Sequence, residues 1–107
     1  MAYVVTSKCV GCKDTACVPV CPVDCFHEGE NMLVIDPEVC IDCGLCEPEC
    51  PQNAIYPEYD TPEEEHAFIE VNDMKSKDWP VIYNQKQPIS NTPKYSVLEA
   101  IEIVLID

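Results

Sequence analysis

The chain contains no arginine and only six basic residues against 20 acidic ones. Its formal net charge of -14 excludes nucleic acids and anionic membranes as partners, because these surfaces would repel it. A protein with a basic surface is the expected partner, since opposite charges steer an encounter. The same acidity would also keep a small protein in solution, and the sequence leaves room for both roles.

The chain is short and has few apolar runs, which limits the kinds of protein that it can form. At 107 residues it is expected to form one domain and to bury about two-thirds of its unfolded surface, so its core needs reinforcement. No apolar run approaches the roughly 20 residues that a membrane-spanning helix requires. We find no targeting segment before the first apolar stretch, which favours a cytoplasmic location.

Nine cysteines are available for that reinforcement, and most fall in two short motifs. The first, CVGCKDTACVPVCP, begins at Cys9, and the second, CIDCGLCEPECP, begins at Cys40. The second has the C-x2-C-x2-C-x3-C-P spacing of iron-sulfur sites, where the fourth cysteine ligates the other cluster of a two-cluster protein. Because three thiolates must reach three corners of one small cage, the chain has to wrap tightly, which suits Gly11 and Gly44.

Disulfides and zinc are the two other uses of such cysteines. Disulfides are disfavoured by the odd number of cysteines, the absence of a signal peptide and the repeated C-x2-C spacing. Zinc ribbons carry two separated C-x2-C pairs, and not triplets that are each followed by a distant cysteine and a proline. The sequence therefore favours iron-sulfur clusters.

The first motif has two extra residues between its second and third cysteines, Cys12 and Cys17. This insertion is expected to move one thiol away from its corner of the cluster. Cys9 and Cys17 then remain from the first motif, with Cys50 from the second. Three protein ligands suit a cluster that lacks one iron.

Together the motifs resemble the seven-iron bacterial ferredoxins, closely from Ala2 to about Tyr56 and more loosely beyond. The resemblance implies an α+β, two-cluster bacterial ferredoxin fold with a pseudo-two-fold internal repeat, formed by residues 1–60. Residues 61–107 would be a C-terminal extension wrapping that core. The resemblance implies two cofactors. One is a 3Fe-4S cluster bound by Cys9, Cys17 and Cys50. The other is a 4Fe-4S cluster bound by Cys21, Cys40, Cys43 and Cys46.

The resemblance implies that the remaining two cysteines, Cys12 and Cys25, are free thiols. An internal alignment pairs Cys9 with Cys40, Cys12 with Cys43, Cys17 with Cys46, Cys21 with Cys50, and Pro22 with Pro51. Cys25 then falls opposite Ala54 and is expected to pack as a small apolar side chain beside the 4Fe cluster. Cys12 has a ligand-like spacing, so an eight-iron form in which it completes the first cluster stays open.

Short apolar runs and turn residues predict the elements around the motifs. We expect a strand over Ala2–Thr6, a short turn or helix over Val18–Val23, and a hairpin over Phe26–Asp36 that turns at Glu28–Asn31. A water-excluding shell is expected around the cysteines. Its members are Val4, Val10, Val18, Val20, Val23, Phe26, Ile35, Ile41, Leu45 and Ile55.

The extension is predicted to begin with a helix. Thr61-Pro62-Glu63-Glu64 has the pattern of an N-cap, a proline at the first position and an acidic first turn. The buried stripe of this helix would be Ala67, Phe68, Val71 and Met74. A surface loop would follow over Val81–Pro93. Tyr95–Ile106 fits a helix with Val97, Leu98, Ile101, Val104 and Leu105 on one face, although its last six residues also fit a strand.

These features predict a soluble, monomeric, low-potential electron carrier that is not an enzyme. Its expected partners are redox proteins with basic docking surfaces, such as a flavoprotein ferredoxin reductase. Two other functions fit the same motifs. One is a redox- or iron-sensing regulatory module, and the other is an electron-transfer subunit of a larger oxidoreductase.

Overall fold

Four short strands form two antiparallel pairs in the computed structural model, which describes residues 2–87 and 95–106. Strand β1 (Tyr3–Val5) pairs with β4 (Ile55–Pro57), and β2 (Phe26–Glu28) pairs with β3 (Leu33–Ile35). Valine, isoleucine and aromatic residues dominate these strands, as suits a pleated and half-buried backbone. The predicted first strand and the predicted hairpin are confirmed.

A short segment at residues 81–82 extends the β2–β3 pair by pairing with β2. Val81 forms a bridge with His27, and the Ile82 amide donates to the Phe26 carbonyl over 3.0 Å. Ile82 is buried, whereas residues 83–87 are exposed. The predicted surface loop over Val81–Pro93 is thus confirmed as far as residue 87, apart from its anchored start, and residues 88–93 lie outside the described residues.

Helix α1 (Ala67–Ser76) begins later than its sequence signals predict. A single 3₁₀ turn, Glu63–Glu65, precedes it. The predicted N-cap is wrong, because the Thr61 hydroxyl donates to the Pro57 carbonyl over 3.0 Å and makes no capping contact. This hydrogen bond therefore holds the start of the segment that leads to α1 against the end of β4.

The buried face of α1 also differs from the predicted stripe. Phe68 and Val71 are buried as predicted, but Ala67 and Met74 are exposed. The face includes polar Asn72 and Ser76 in their place. Periodicity based on apolar residues misses such a face, because it counts a buried asparagine as a surface position.

Asn72 connects the two strand pairs. Its Oδ1 accepts hydrogen bonds from the Val5 amide at 3.1 Å and the Ile35 amide at 2.9 Å. Its Nδ2 donates to the Val5 carbonyl at 2.8 Å and the Phe68 carbonyl at 2.7 Å. One side chain therefore satisfies buried backbone groups of β1, β3 and α1 together.

The last element is helix α2 (Val97–Ile106), which settles the helix-or-strand alternative in favour of a helix. It packs against the 3₁₀ turn Ser7–Cys9 at the start of the first motif. Ala100 and Val104 are buried, whereas Leu98 and Leu105 are exposed, so the predicted apolar face is only partly correct. Within the described residues, no helix is long and apolar enough to span a membrane.

The predicted shell is largely present. Val4, Val10, Val18, Phe26, Ile35 and Ile55 are buried, and Val20 and Val23 are partly buried against the same core. Ile41 and Leu45 are exceptions, because both side chains are more than half exposed. Their backbone belongs to the loop of the second motif, which lies at the surface.

Replacing Asn72 by alanine should destabilise the fold strongly. The change leaves buried amides of Val5 and Ile35 without a partner, at about 1–3 kcal/mol for each group. We expect the free energy of unfolding of the protein as purified to fall by about 3 kcal/mol in chemical denaturation. Asn84→Ala is the matched control, because Asn84 is exposed, and it should change stability by less than about 0.5 kcal/mol. Equal effects of the two substitutions would contradict the bridging role of Asn72.

Candidate metal centres

Cysteines from both motifs gather into two groups. The first group consists of Cys9, Cys17 and Cys50, which are all buried. Cys9 ends the 3₁₀ turn Ser7–Cys9, Cys17 precedes the turn Val18–Val20, and Cys50 follows the turn Glu47–Glu49. Cys50 thus comes from the second motif but lies beside cysteines of the first.

Electrostatic contacts between these thiols show their proximity. Burial raises the pKa of Cys9 to about 12, with contributions from the nearby thiols of Cys50 and Cys12. Burial also raises the pKa of Cys17 far above its ordinary value, and Cys9, Cys50 and Cys46 raise it further. Thiolates crowded in this way need a cation to compensate their charge, which a metal centre supplies.

The second group lines a cavity beside the loop of the second motif. Its lining includes four cysteines of the predicted 4Fe set: Cys21 from the first motif with Cys40, Cys43 and Cys46 from the second. Val23, Phe26 and Ile35 supply apolar walls. Burial raises the pKa of Cys46 to about 12, and the thiols of Cys40, Cys21 and Cys43 add to the shift.

The donor set of both groups fits iron-sulfur ligation, which uses thiolates surrounded by an apolar shell. The thiols of the second group surround a space and do not meet at one point. Among residues 2–87 and 95–106, no three histidine, cysteine or acidic side chains converge closely enough to hold a single metal ion.

Backbone amides point at several of the sulfurs. Each donor-to-sulfur distance is 3.4 Å: Leu33 to Cys9, Cys25 to Cys21, Asp42 to Cys40, and Ala54 to Cys50. Such hydrogen bonds stabilise negative charge on sulfur and therefore favour the more reduced state of a bound cluster.

Cys12 and Cys25 take different places. The Sγ of Cys25 lies 3.3 Å from the Sγ of Cys21, and Cys25 lines the same cavity as the second group. Burial raises the pKa of Cys25, and Cys21 raises it further. Cys12 is fully buried beside Cys9, to whose carbonyl its amide donates at 3.0 Å.

The longer loop of the first motif is anchored to the C-terminal part of the chain at Thr15. The buried hydroxyl of Thr15 donates to the Lys86 carbonyl over 2.8 Å and accepts a hydrogen bond from the Lys86 amide. The ammonium groups of Lys13 and Lys86 both donate to the Glu28 carboxylate, at 2.9 and 2.8 Å. Burial alone would raise the pKa of Glu28, but these two lysines hold it below its ordinary value.

Glu65 is a positioning residue that sequence reasoning missed. Its buried carboxylate accepts hydrogen bonds from the Ser7 hydroxyl at 2.6 Å and the Ser7 amide at 3.2 Å. Ser7 opens the turn that carries Cys9. The sequence offers no signal for this contact, because Glu65 stands in an acidic run that matches a helix N-terminus.

Comparisons with known proteins agree with this chemistry. Two family models described as 4Fe-4S binding domains match residues 6–24 and 33–56. Ferredoxin-1 of Caulobacter vibrioides is 52% identical over 88 residues, which cover 82% of this chain and 77% of that protein. Ferredoxin 7Fe of Hydrogenibacillus schlegelii is 60% identical over 72 residues, covering 67% and 92%. A ferredoxin of Rickettsia felis is 49% identical over 96 residues, covering 89% and 86%.

Alanine at position 44 should destabilise the protein, and part of the loss should depend on Tyr3. Gly44 has a φ of +77°, and an added Cβ would lie 2.8 Å from the Tyr3 hydroxyl oxygen. We expect Gly44→Ala to lower stability by about 2–4 kcal/mol through backbone strain and the clash. Combining it with Tyr3→Phe should recover the share that is due to the clash.

Thermal unfolding of the cluster-loaded single and double variants measures this coupling. Tyr3→Phe alone is the control, and the double variant should be more stable than Gly44→Ala. A double variant no more stable than Gly44→Ala would contradict the contact between Gly44 and Tyr3.

Proposed function

This chain belongs to the bacterial two-cluster ferredoxins, and from that premise we propose that it carries one 3Fe-4S and one 4Fe-4S cluster. It is an iron-sulfur electron-transfer protein and not an enzyme. When bound, each cluster supplies a centre that takes up and releases one electron. The residues of the chain hold the clusters, exclude water and set the charge around them.

We propose that each cluster draws ligands from both motifs. The 4Fe-4S ligands are Cys21, Cys40, Cys43 and Cys46, and the observation that carries this assignment is their common cavity. Cys50 lies with Cys9 and Cys17, because its thiol contributes to the raised pKa values of both. The thiol of Cys46 also raises the pKa of Cys17, so the two centres are close neighbours.

The insertion in the first motif supports a 3Fe-4S cluster at the first centre. Thr15, one of the extra residues, is fixed by two hydrogen bonds to the Lys86 backbone. This anchor holds the longer loop in a shape different from that of the second motif. Cys12 is then left out of the ligand set, and three thiols remain for three irons.

A pseudo-two-fold repeat is part of the proposal. Backbone conformations with positive φ are rare outside glycine, so their spacing is informative. In the described residues, all of them fall at positions that the cysteine alignment pairs: Gly11 (+82°) with Asp42 (+60°), Lys13 (+45°) with Gly44 (+77°), and Asp24 (+50°) with Asn53 (+54°).

Other local features repeat in the same register. The 3₁₀ turn Val18–Val20 lies between Cys17 and Cys21 as Glu47–Glu49 lies between Cys46 and Cys50. The amide four residues after Cys21 donates to its sulfur, and the amide four residues after Cys50 does the same. We propose residues 1–60 as this repeated core and residues 61–107 as an extension that braces it.

The proposed partners are redox proteins with a basic docking surface, such as a flavoprotein reductase. The net charge of -14 supports this choice, because it would steer a basic partner toward the chain. None of the nine cysteines forms a disulfide, which fits the reducing cytoplasm. We therefore propose a cytoplasmic, monomeric, low-potential carrier.

The cluster content can be tested by counting iron and recording paramagnetic resonance spectra. We expect about seven irons per chain, a 3Fe signal in the oxidised protein and a 4Fe signal after reduction. Cys12→Ala is the matched control and should also bind seven irons. Eight irons in freshly purified anaerobic protein, falling to seven in Cys12→Ala, would contradict the proposal and identify Cys12 as a ligand.

A further inference from the structure

The two cysteine groups differ in their exposure to solvent. All nine cysteines lie in the described part of the chain, and Cys43 is the only one of them that is exposed. Cys9, Cys17 and Cys50 are all buried. The second group therefore comes nearer to the molecular surface than the first.

The C-terminal part of the chain covers the first group. The Tyr95 ring lies so close to Gly11 that an added Cβ would approach its Cε2 to 2.7 Å. Lys86 is hydrogen-bonded to Thr15 through its backbone, and α2 packs on the turn that carries Cys9. A partner cannot reach the first centre from these sides.

The second motif presents apolar side chains to solvent instead. Ile41 is 59% exposed and Leu45 is 53% exposed, and these residues flank Cys43 at two positions on either side. Val39 is also exposed. We call Val39, Ile41, Cys43 and Leu45 the second-loop face. Several exposed apolar residues beside a functional centre are typical of a surface that a partner covers.

Acidic residues accompany this face. Asp42 lies between Ile41 and Cys43, and Glu47 and Glu49 follow in the same motif. Asp42 and Glu47 lie within three residues of Gly44, whose added Cβ would approach the Tyr3 hydroxyl. Burial raises the pKa of Tyr3, and the charges of these two carboxylates raise it further. The sequence has no lysine or arginine between Lys13 and Lys75.

We propose that the second-loop face is the docking site for redox proteins that present an apolar centre ringed by lysine or arginine. Ile41 and Leu45 would pack against the apolar centre, and Asp42, Glu47 and Glu49 would face the basic rim. The inference rests on the proposed function, because it takes the second centre to be the one that meets the partner.

Ferric cytochrome c, a basic haem protein, is a suitable probe of this face. Leu45→Lys adds a cation to the second-loop face, and Leu98→Lys makes the same change on α2, where Leu98 is 76% exposed. Both variants have the same net charge. We expect Leu45→Lys to weaken binding by about tenfold in low-salt titration calorimetry, and Leu98→Lys by less than about twofold. The rate of haem reduction by the reduced protein is a second readout and should follow the same order.

A second pair of variants guards against an effect of Leu45→Lys on folding. Asp42→Asn removes one charge from the second-loop face, and asparagine tolerates the φ of +60° at this position. Glu102→Gln removes one charge from α2. Asp42→Asn should weaken binding more than Glu102→Gln. Equal losses within each pair would overturn the proposal, because net charge alone would then explain them. A larger loss in the α2 variants, or no binding by the parent protein at low salt, would also overturn it. The iron count tests the cluster content separately.

Discussion

Buried sulfur is the constraint on which this structure depends. The thiols of Cys9, Cys17 and Cys46 lie in a water-poor core where burial raises their pKa values, and each is close to other thiols. A metal ligand must be ionised, and several thiolates at such distances repel one another. A bound cation would compensate that repulsion, and the free energy of cluster binding would then add to the stability of the fold.

Ligands shared between the motifs would make cluster binding and folding cooperative. If Cys50 serves the first centre and Cys21 the second, each cluster ties together two segments that are distant in sequence. Asn72 and Glu65 reinforce the same arrangement from the C-terminal segment. Asn72 joins β1 to β3, and Glu65 fixes the turn that presents Cys9. The segment is therefore part of the support of the first centre.

This bracing also explains the asymmetry of the molecule. The contacts of Thr15 with Lys86 and of Gly11 with Tyr95 cover the first motif. The second motif keeps Cys43, Ile41 and Leu45 at the surface. Two motifs of nearly the same sequence pattern thus have different surroundings, because the C-terminal segment packs on one of them.

Sequence reasoning was strongest where spacing itself carries the chemistry. The cysteine motifs predicted the family, and short apolar runs with the turn residues between them predicted β1 and the hairpin. It failed where a side chain has a distant partner. Thr61 matches an N-cap but donates to the Pro57 carbonyl, and Asn72, which is buried, is missing from the predicted stripe of α1. Ile41 and Leu45 fit a water-excluding shell by composition, but their loop lies at the surface. Such outcomes depend on tertiary contacts that local pattern does not encode.

Shared ligation is tested most directly by removing its two crossing cysteines in turn. Cys50→Ala should erase the 3Fe resonance of the oxidised protein and retain the 4Fe signal after reduction. Cys21→Ala should do the reverse, and it is best made together with Cys25→Ala, because the Cys25 sulfur lies 3.3 Å from that of Cys21 and is placed to substitute for it. A Cys50→Ala protein that keeps its 3Fe signal and loses the 4Fe cluster would contradict the account.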